Sequence, residues 1–264
     1  PVVPENAHMA RLLRRKSKIL VAFGSCANEG CIPGLANLSS RKVIFDTAYA
    51  GPSTENPDAV RPSPTAVVAE GALHLPAFEP VLRTLDQVVE VDYHMPGCPP
   101  ESHQIAAVVD LLVQVVQGKA ELPPRGSVIG AGQSTVCDEC PRQRDVKHIT
   151  RIRRIQEMPP LDPAICLLEQ GLMCNGPATR SGCNARCPQA GAPCIGCYGA
   201  APEALDQGAR MMTAIASVIE GKDAASIDAV LDGIPDPAGM FYRFSLAHSL
   251  LRASRSAHRE TEQA

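Results

Sequence analysis

Apolar and polar positions follow two rhythms in the first half of this chain. Between Asn6 and Lys16, Met9, Leu12 and Leu13 fall on one side, with Arg11, Arg14, Arg15 and Lys16 around them. That spacing predicts a short amphipathic helix. The stretch from Lys18 to Phe23 (KILVAF) follows as an apolar run ending at Gly24. It suits a strand covered on both faces, as in a parallel sheet. Gln87 to Tyr93 (QVVEVDY) is a second candidate strand. Glu101 to Gln117 returns to helical periodicity, with Gly118 as its stop signal. Strand, loop and helix in repetition predict an α/β fold built on a doubly wound sheet.

The rhythm then fails. Ala50 to Pro64 is rich in proline and reads as a loop. Glu121 to Ser134, rich in Pro and Gly, marks a boundary, so two units are expected, 1–125 and 126–264. Residues 135–200 show little periodicity and many turn residues, too little apolar patterning to fold unaided. Beyond them, Glu203 to Glu220 predicts a helix and Phe241 to Leu251 another. No internal repeat stands out.

Composition narrows the function classes. Apolar residues make up 45% of the 264, enough for a real core, while 3% aromatic content and the absence of Trp make that core aliphatic. A net charge of −3 offers no basic field for nucleic acid and no polybasic membrane anchor. No apolar run of spanning length occurs. The sequence opens at Pro1 as if inside a domain, so a preceding segment is expected.

Cysteine changes the picture most. There are eleven, an odd number, clustered in C-x-x-C and C-x-x-x-C spacings. That favours metal ligation over a disulfide framework. Eight lie in the second half: Cys137, Cys140, Cys166, Cys174, Cys183, Cys187, Cys194 and Cys197. They make two sets of four, suited to two 4Fe–4S clusters or two structural zincs. The irregular, Pro/Gly-rich segments between them favour iron–sulfur. Such backbone wraps a bulky cube and offers N–H groups to its sulfides.

Cys26 and Cys98 each lie just beyond a candidate strand, at the sheet edge where ligands bind. Gly24, Gly30, Gly34 and Gly97 would let backbone approach a cofactor there. Two thiols do not complete a cube, so two more ligands must come from elsewhere, most simply from an N-terminal segment. The plainer alternative is that both are buried small apolar residues. Cys31 has no partner at ligand spacing and reads as structural. His94, His103 and His148 read as surface or capping residues, and Arg151 to Arg154 as a solvated basic run. Gly130 to Ser134 lacks the ending and the preceding strand of a phosphate loop. With no Ser/His/Asp or paired-carboxylate signature, the chain reads as a carrier of electrons.

GSCANEGCIPGLANL, MPGCPPES and CLLEQGLMCNGPATRSGCNARCPQAGAPCIGCYG together resemble the small subunit of nickel–iron hydrogenases. The nearest likeness is to the methyl-viologen-reducing, F420-non-reducing type. The resemblance spans nearly the whole chain, including GMFYRFSL near its end. The first two motifs also occur in an iron–sulfur subunit of complex I (the 20 kDa type), but the eight-cysteine second half does not.

The family resemblance implies a flavodoxin-like domain beside the nickel–iron centre of a separate large subunit. It implies Cys26 and Cys98 as two of four ligands of a proximal cluster, the other two belonging to an N-terminal C-x-x-C absent from this sequence. It implies Cys137, Cys140, Cys166 and Cys174 for a distal cluster, where relatives often have His-x-x-Cys. Cys183, Cys187, Cys194 and Cys197 match a medial cluster. Some relatives have proline where Cys187 stands, so the fourth thiolate implies 4Fe–4S and a lower potential. The implied protein is a cytoplasmic electron-transfer subunit passing electrons between the large subunit and an acceptor protein. A complex I-like subunit and a zinc-stabilised interaction module are the alternatives.

Overall fold

The computed structural model describes residues 3–145, 148–221 and 223–253. Helix α1 (Pro4–Lys16) starts with proline in its first turn and ends with Arg14, Arg15 and Lys16 in its last, each where the helix dipole favours it. Its buried side is not the expected one. Ala7 and Ala10 are buried, whereas Met9 and Leu13 are about half exposed. Small side chains let the helix approach the sheet closely. Arg14 reaches Asp92 at 2.5 Å, and Asp92 also accepts the Leu20 backbone N–H at 2.7 Å.

Strand β1 (Val21–Phe23) runs directly into α2 (Gly24–Asn28). A long crossover follows. It holds α3 (Arg41–Ala50), capped by Ser40, and an exposed antiparallel hairpin of β2 (Thr65–Val68) and β3 (Gly71–His74). The chain between α3 and β2 is irregular, as its prolines predict. Strand β4 (Tyr93–Met95) then pairs parallel with β1, Ala22 opposite His94. Helix α4 (Ser102–Val116) returns the chain to β5 (Ser127–Val128), parallel to β4. The sheet order is β1-β4-β5, an α/β arrangement with parallel strands, as expected.

Two expectations shift in detail. Most of Gln87 to Tyr93 is not strand: Val88 and Val89 donate backbone N–H to the Leu85 carbonyl, forming a turn. The Asp92 carboxylate then locks the segment to Leu20 and Arg14, and pairing with β1 begins only at Tyr93. The stretch read as a Pro/Gly boundary contains β5, because Ile129 N–H and His94 C=O extend the ladder across it. A strand therefore does precede Gly130 to Ser134. Tyr93, Met95 and Ile129 form the small core of this sheet, covered by Val21, Ile105, Val108 and Leu122.

The second half has little regular structure before residue 207. Helices α5 (Val136–Glu139) and α6 (Arg186–Gln189) are single turns, and isolated bridges such as Gln143 to Ile165 and Thr135 to Arg180 link the surrounding loops. Helix α7 (Gln207–Ala216) is shorter than the expected Glu203 to Glu220, because Glu203 adopts φ +66° and Asp206 caps the helix by accepting the Ala209 N–H at 2.8 Å. After α8 (Ala224–Leu231), α9 (Pro237–Phe241) ends where the expected helix over Phe241 to Leu251 would begin. Pro237 and the Asp236 cap start it early, and among the described residues only a 3-10 turn, Leu246–His248, follows. Val136, Ile149, Met211, Ile215, Val230 and Leu246 are among the buried residues of the larger core in this half.

That 3-10 turn binds the two halves. Gln87 Nε2 donates to the Ala247 carbonyl at 2.8 Å, and His248 Nε2 lies 3.0 Å from Asp86 Oδ2. Burial alone would raise the Asp86 pKa, but hydrogen bonds from His248 and Thr84 prevail and bring it to about 2. Asp86 in turn raises His248 above 6.5, against the opposing effect of burial. The Asp86 contribution to stability is complete above pH 3.8 and fades as pH falls towards 2. The His248 contribution is complete below pH 6.5 and is lost as pH rises through its raised folded value. The thermal midpoint is therefore expected to fall from pH 6.5 upwards and to lose that slope in His248→Gln. The same slope in the variant would assign it to other groups.

Candidate metal centre

Strands β1 and β4 end together, Phe23 opposite Met95. Ser25 N–H donates to the Gly97 carbonyl at 2.8 Å, and Gly97 N–H lies 3.3 Å from Ser25 Oγ. Gly97 sits at φ +130°, where a Cβ would meet the Pro100 backbone, so the close turn needs glycine. This clasp brings Cys26, on α2, and Cys98 to one edge, and both are exposed. It also holds a thiol that linear spacing did not connect to them. Cys31 is buried, with its Sγ 3.8 Å from that of Cys98. Gly30 at φ +89° and Cys31 at φ +52° fold the chain back beneath Cys98. Burial pushes the Cys31 thiol up to about 12; the Ile32 backbone N–H opposes this, and Cys98 and Cys26 add to it.

A second group is more complete. Cys137, Cys140, Cys166 and Cys174 line one cavity, with Arg142 and Arg144 beside them. Thr135 caps the turn carrying Cys137 through Asp138. Gln143 N–H to Ala164 C=O (2.7 Å) and Cys166 N–H to Gln143 C=O (2.8 Å) bring the Cys166 loop beside Cys140. The buried Arg142 guanidinium donates to the carbonyls of Pro188, Asp162 and Ile165 at 2.9–3.0 Å. Gly176 lies so near the sulfurs that a Cβ would stand 3.0 Å from Cys137 Sγ and 3.7 Å from Cys174 Sγ.

Burial pushes the Cys137 thiol up to about 12, with Cys174 adding to it, and burial also raises Cys174. Sulfurs so placed ionise readily only when a cation shares their charge. Among the described residues no three Cys, His, Asp or Glu side chains converge tightly enough to grip one metal ion. The four thiols of this group line one cavity, and four thiolates are the donor set that a 4Fe–4S cluster takes.

Cys183, Cys187, Cys194 and Cys197 lie around α6 and the turn after it. Asn184 and Ala185 enter α6 through left-handed conformations. Burial pushes the Cys197 thiol up to about 12, and Cys183, Cys187 and Cys98 push in the same direction. This group touches both others. Cys194 N–H donates to Cys174 Sγ at 3.3 Å, and Asn175 N–H to Cys194 C=O at 2.8 Å. On its other side, Ser25 Oγ donates to the Cys197 carbonyl at 2.5 Å, and the Cys98 backbone N–H lowers the Cys197 pKa against the effect of burial.

His94 is not the surface or capping residue expected: it sits half-buried on the central strand β4, with Nδ1 2.6 Å from Asn28 Oδ1. His103 Nε2 is 3.1 Å from the Gly182 carbonyl, and both His103 and His148 are exposed. Residues missed from the sequence are Gly176, Arg142 and Glu29. Glu29 is buried against Gly199, where any Cβ would overlap its carboxylate. Burial raises its pKa to about 8, Arg180 opposing, and its Oε2 has no hydrogen-bond partner. Its acidic side chain suggested a surface position, and only the following Gly30 hinted at a tight turn.

Residues 2–112 match the family model described as "NADH ubiquinone oxidoreductase, 20 Kd subunit". Similar curated proteins extend much further along the chain. The F420-non-reducing hydrogenase iron-sulfur subunit of Archaeoglobus profundus is 38% identical over 253 residues, 94% of this chain and 76% of that one. The corresponding subunit of the F420-non-reducing hydrogenase (vhu) of Methanocaldococcus jannaschii is 36% identical, covering 93% and 75%. Its counterpart in the F420-non-reducing hydrogenase of Methanothermobacter marburgensis is 35% identical, covering 94% and 75%.

Gly176 offers a local test of the four-thiol cavity. Gly176→Ala adds a methyl group against Cys137 Sγ and is expected to cost roughly 1–3 kcal/mol by overpacking. A lower thermal midpoint together with less iron bound per chain is the expected result. Unchanged iron and midpoint would show that the backbone there does not crowd the metal site.

Proposed function

We infer the function from one premise: the chain belongs to the family of iron–sulfur subunits of the F420-non-reducing hydrogenases. It is the electron-transfer subunit of a hydrogenase, an oxidoreductase in which it works with other hydrogenase subunits. The first half has the flavodoxin-like fold of the matching family model. The complex I-like alternative rests on residues 2–112 alone and leaves the eight later cysteines unexplained.

The finer reading is ours. Cys137, Cys140, Cys166 and Cys174 hold a distal 4Fe–4S cluster, and Cys183, Cys187, Cys194 and Cys197 a medial one. Cys26 and Cys98 give two ligands to a proximal cluster. The partner on that side is the large subunit carrying the nickel–iron centre, and the partner on the other is an acceptor protein with a flavin or iron–sulfur centre. The assembly works in the cytoplasm. Among the described residues no helix is long and apolar enough to cross a membrane. The observation that carries the reading is the cavity lined by four thiols, Cys137, Cys140, Cys166 and Cys174.

Bound to such thiols, an iron–sulfur cluster takes up and releases one electron at a time. The chain supplies the route and the electrostatics. The Cys98 and Cys197 contact joins the proximal group to the medial one, and the Cys194 N–H to Cys174 Sγ bond joins the medial group to the distal one. That N–H draws charge from the sulfur, and the Arg142 and Arg144 cations favour added negative charge, so both raise the potential of the distal site. Beyond it lies an open cleft rimmed by Asp138, Arg144, Glu169 and Arg210, which gives an acceptor access to the Cys137 and Cys166 side.

Metal analysis of anaerobically purified chain tests this. Two complete clusters require about eight irons and about eight acid-labile sulfides, with Cys140→Ser and Cys187→Ser each losing about half. About two zincs and no sulfide would establish the zinc module instead.

A further inference from the structure

The sulfurs of Cys31 and Cys98 are in contact, 3.8 Å apart, yet face different surroundings: Cys98 is exposed and Cys31 is 2% exposed. Cys31 is fixed in place. It caps the 3-10 helix Ile32–Leu38 in a left-handed conformation. The preceding Gly30 packs so tightly that a Cβ there would collide with Ala247 Cβ at 2.6 Å. Cys98, at the surface, is the sulfur free to move. A disulfide needs its sulfurs about 2.05 Å apart, so the pair closes from 3.8 Å by movement of the exposed Cys98 side chain towards Cys31.

We propose that Cys31 and Cys98 form a reversible thiol–disulfide pair that closes the first cluster site to iron under oxidising conditions. This rests on the reading of Cys98 as a cluster ligand. The co-reactant is a low-molecular-weight disulfide. The exposed Cys98 thiolate attacks one of its sulfurs, the reagent S–S bond breaks, and one thiol leaves with the proton given up by Cys98. Cys31 then attacks the Cys98 sulfur of the mixed disulfide, and the second thiol leaves with the proton given up by Cys31. Two protein thiols lose two electrons, and the reagent is reduced to two thiols. A dithiol reverses the exchange and frees Cys98 for iron. While it lasts, the disulfide shields Cys98 from irreversible over-oxidation.

The test uses the full chain, freed of iron by chelation under reducing conditions, then exposed to oxidised glutathione, alkylated, digested and mapped by mass spectrometry. The expected result is a Cys31–Cys98 link in the natural sequence. Dithiothreitol removes it and restores iron uptake in step. In Cys31→Ala, Cys98 carries glutathione instead, and in Cys98→Ser, Cys31 stays unmodified. Glutathione on Cys98 of the natural sequence, as in Cys31→Ala, or a Cys26–Cys98 link would overturn the pair. Iron beyond the roughly eight of the two complete clusters separates the two readings: if untreated Cys98→Ser binds as much of it as the natural sequence, the ligand role falls, and the gating with it, whichever thiols are joined.

Discussion

Thiols buried beside one another in irregular backbone are a liability unless something shares their charge. Residues 135–200 hold eight cysteines, all but Cys187 wholly or partly buried, where single-turn helices and isolated bridges provide most of the regular structure. Burial raises Cys137, Cys174, Cys183, Cys194 and Cys197 together. A cation-rich cluster turns this around, because the proximity that hinders ionisation becomes the geometry of ligation. In the proposed ligation the loops meet that need, and their hydrogen bonds run from one cysteine-bearing segment to the next rather than along helices or strands.

The same stitching joins the halves of the chain along the proposed electron path. The sheet exists largely to aim two strand ends at one edge, and Ser25 and Gly97 convert that edge into a clasp. Ser25 then reaches the Cys197 carbonyl, while the 3-10 turn at Leu246–His248 packs against Gln87 and Asp86. A displacement of either half would part Cys26 and Cys98 from the group of Cys183, Cys187, Cys194 and Cys197. Rigidity between the groups is thus a functional requirement, since a route for electrons is only as good as its widest gap.

Much of this is legible without the fold, for reasons visible in particular residues. Helix α4 is readable because a fifteen-residue periodic stretch outweighs local exceptions. Cys26 and Cys98 fall at one edge because strands of a parallel sheet end together. What sequence does not disclose is contact between distant segments. Cys31 meets Cys98 only through the left-handed turn at Gly30 and Cys31, and β5 becomes a strand only because β4 offers it a ladder. Gly176 and Arg142 give no linear signal, since their meaning lies in the sulfurs and carbonyls they face. Met9 and Leu13 mislead because the alanines, not the larger side chains, take the buried side of α1.

If metal ligation shapes residues 135–200, removing the metal must unmake them. Amide hydrogen exchange, followed by mass spectrometry before and after anaerobic iron chelation, reads this out segment by segment. Protection around Cys137 to Cys197 should be lost with the iron while β1, β4 and α4 keep theirs. Equal protection in that region with and without iron would show that its shape owes nothing to metal.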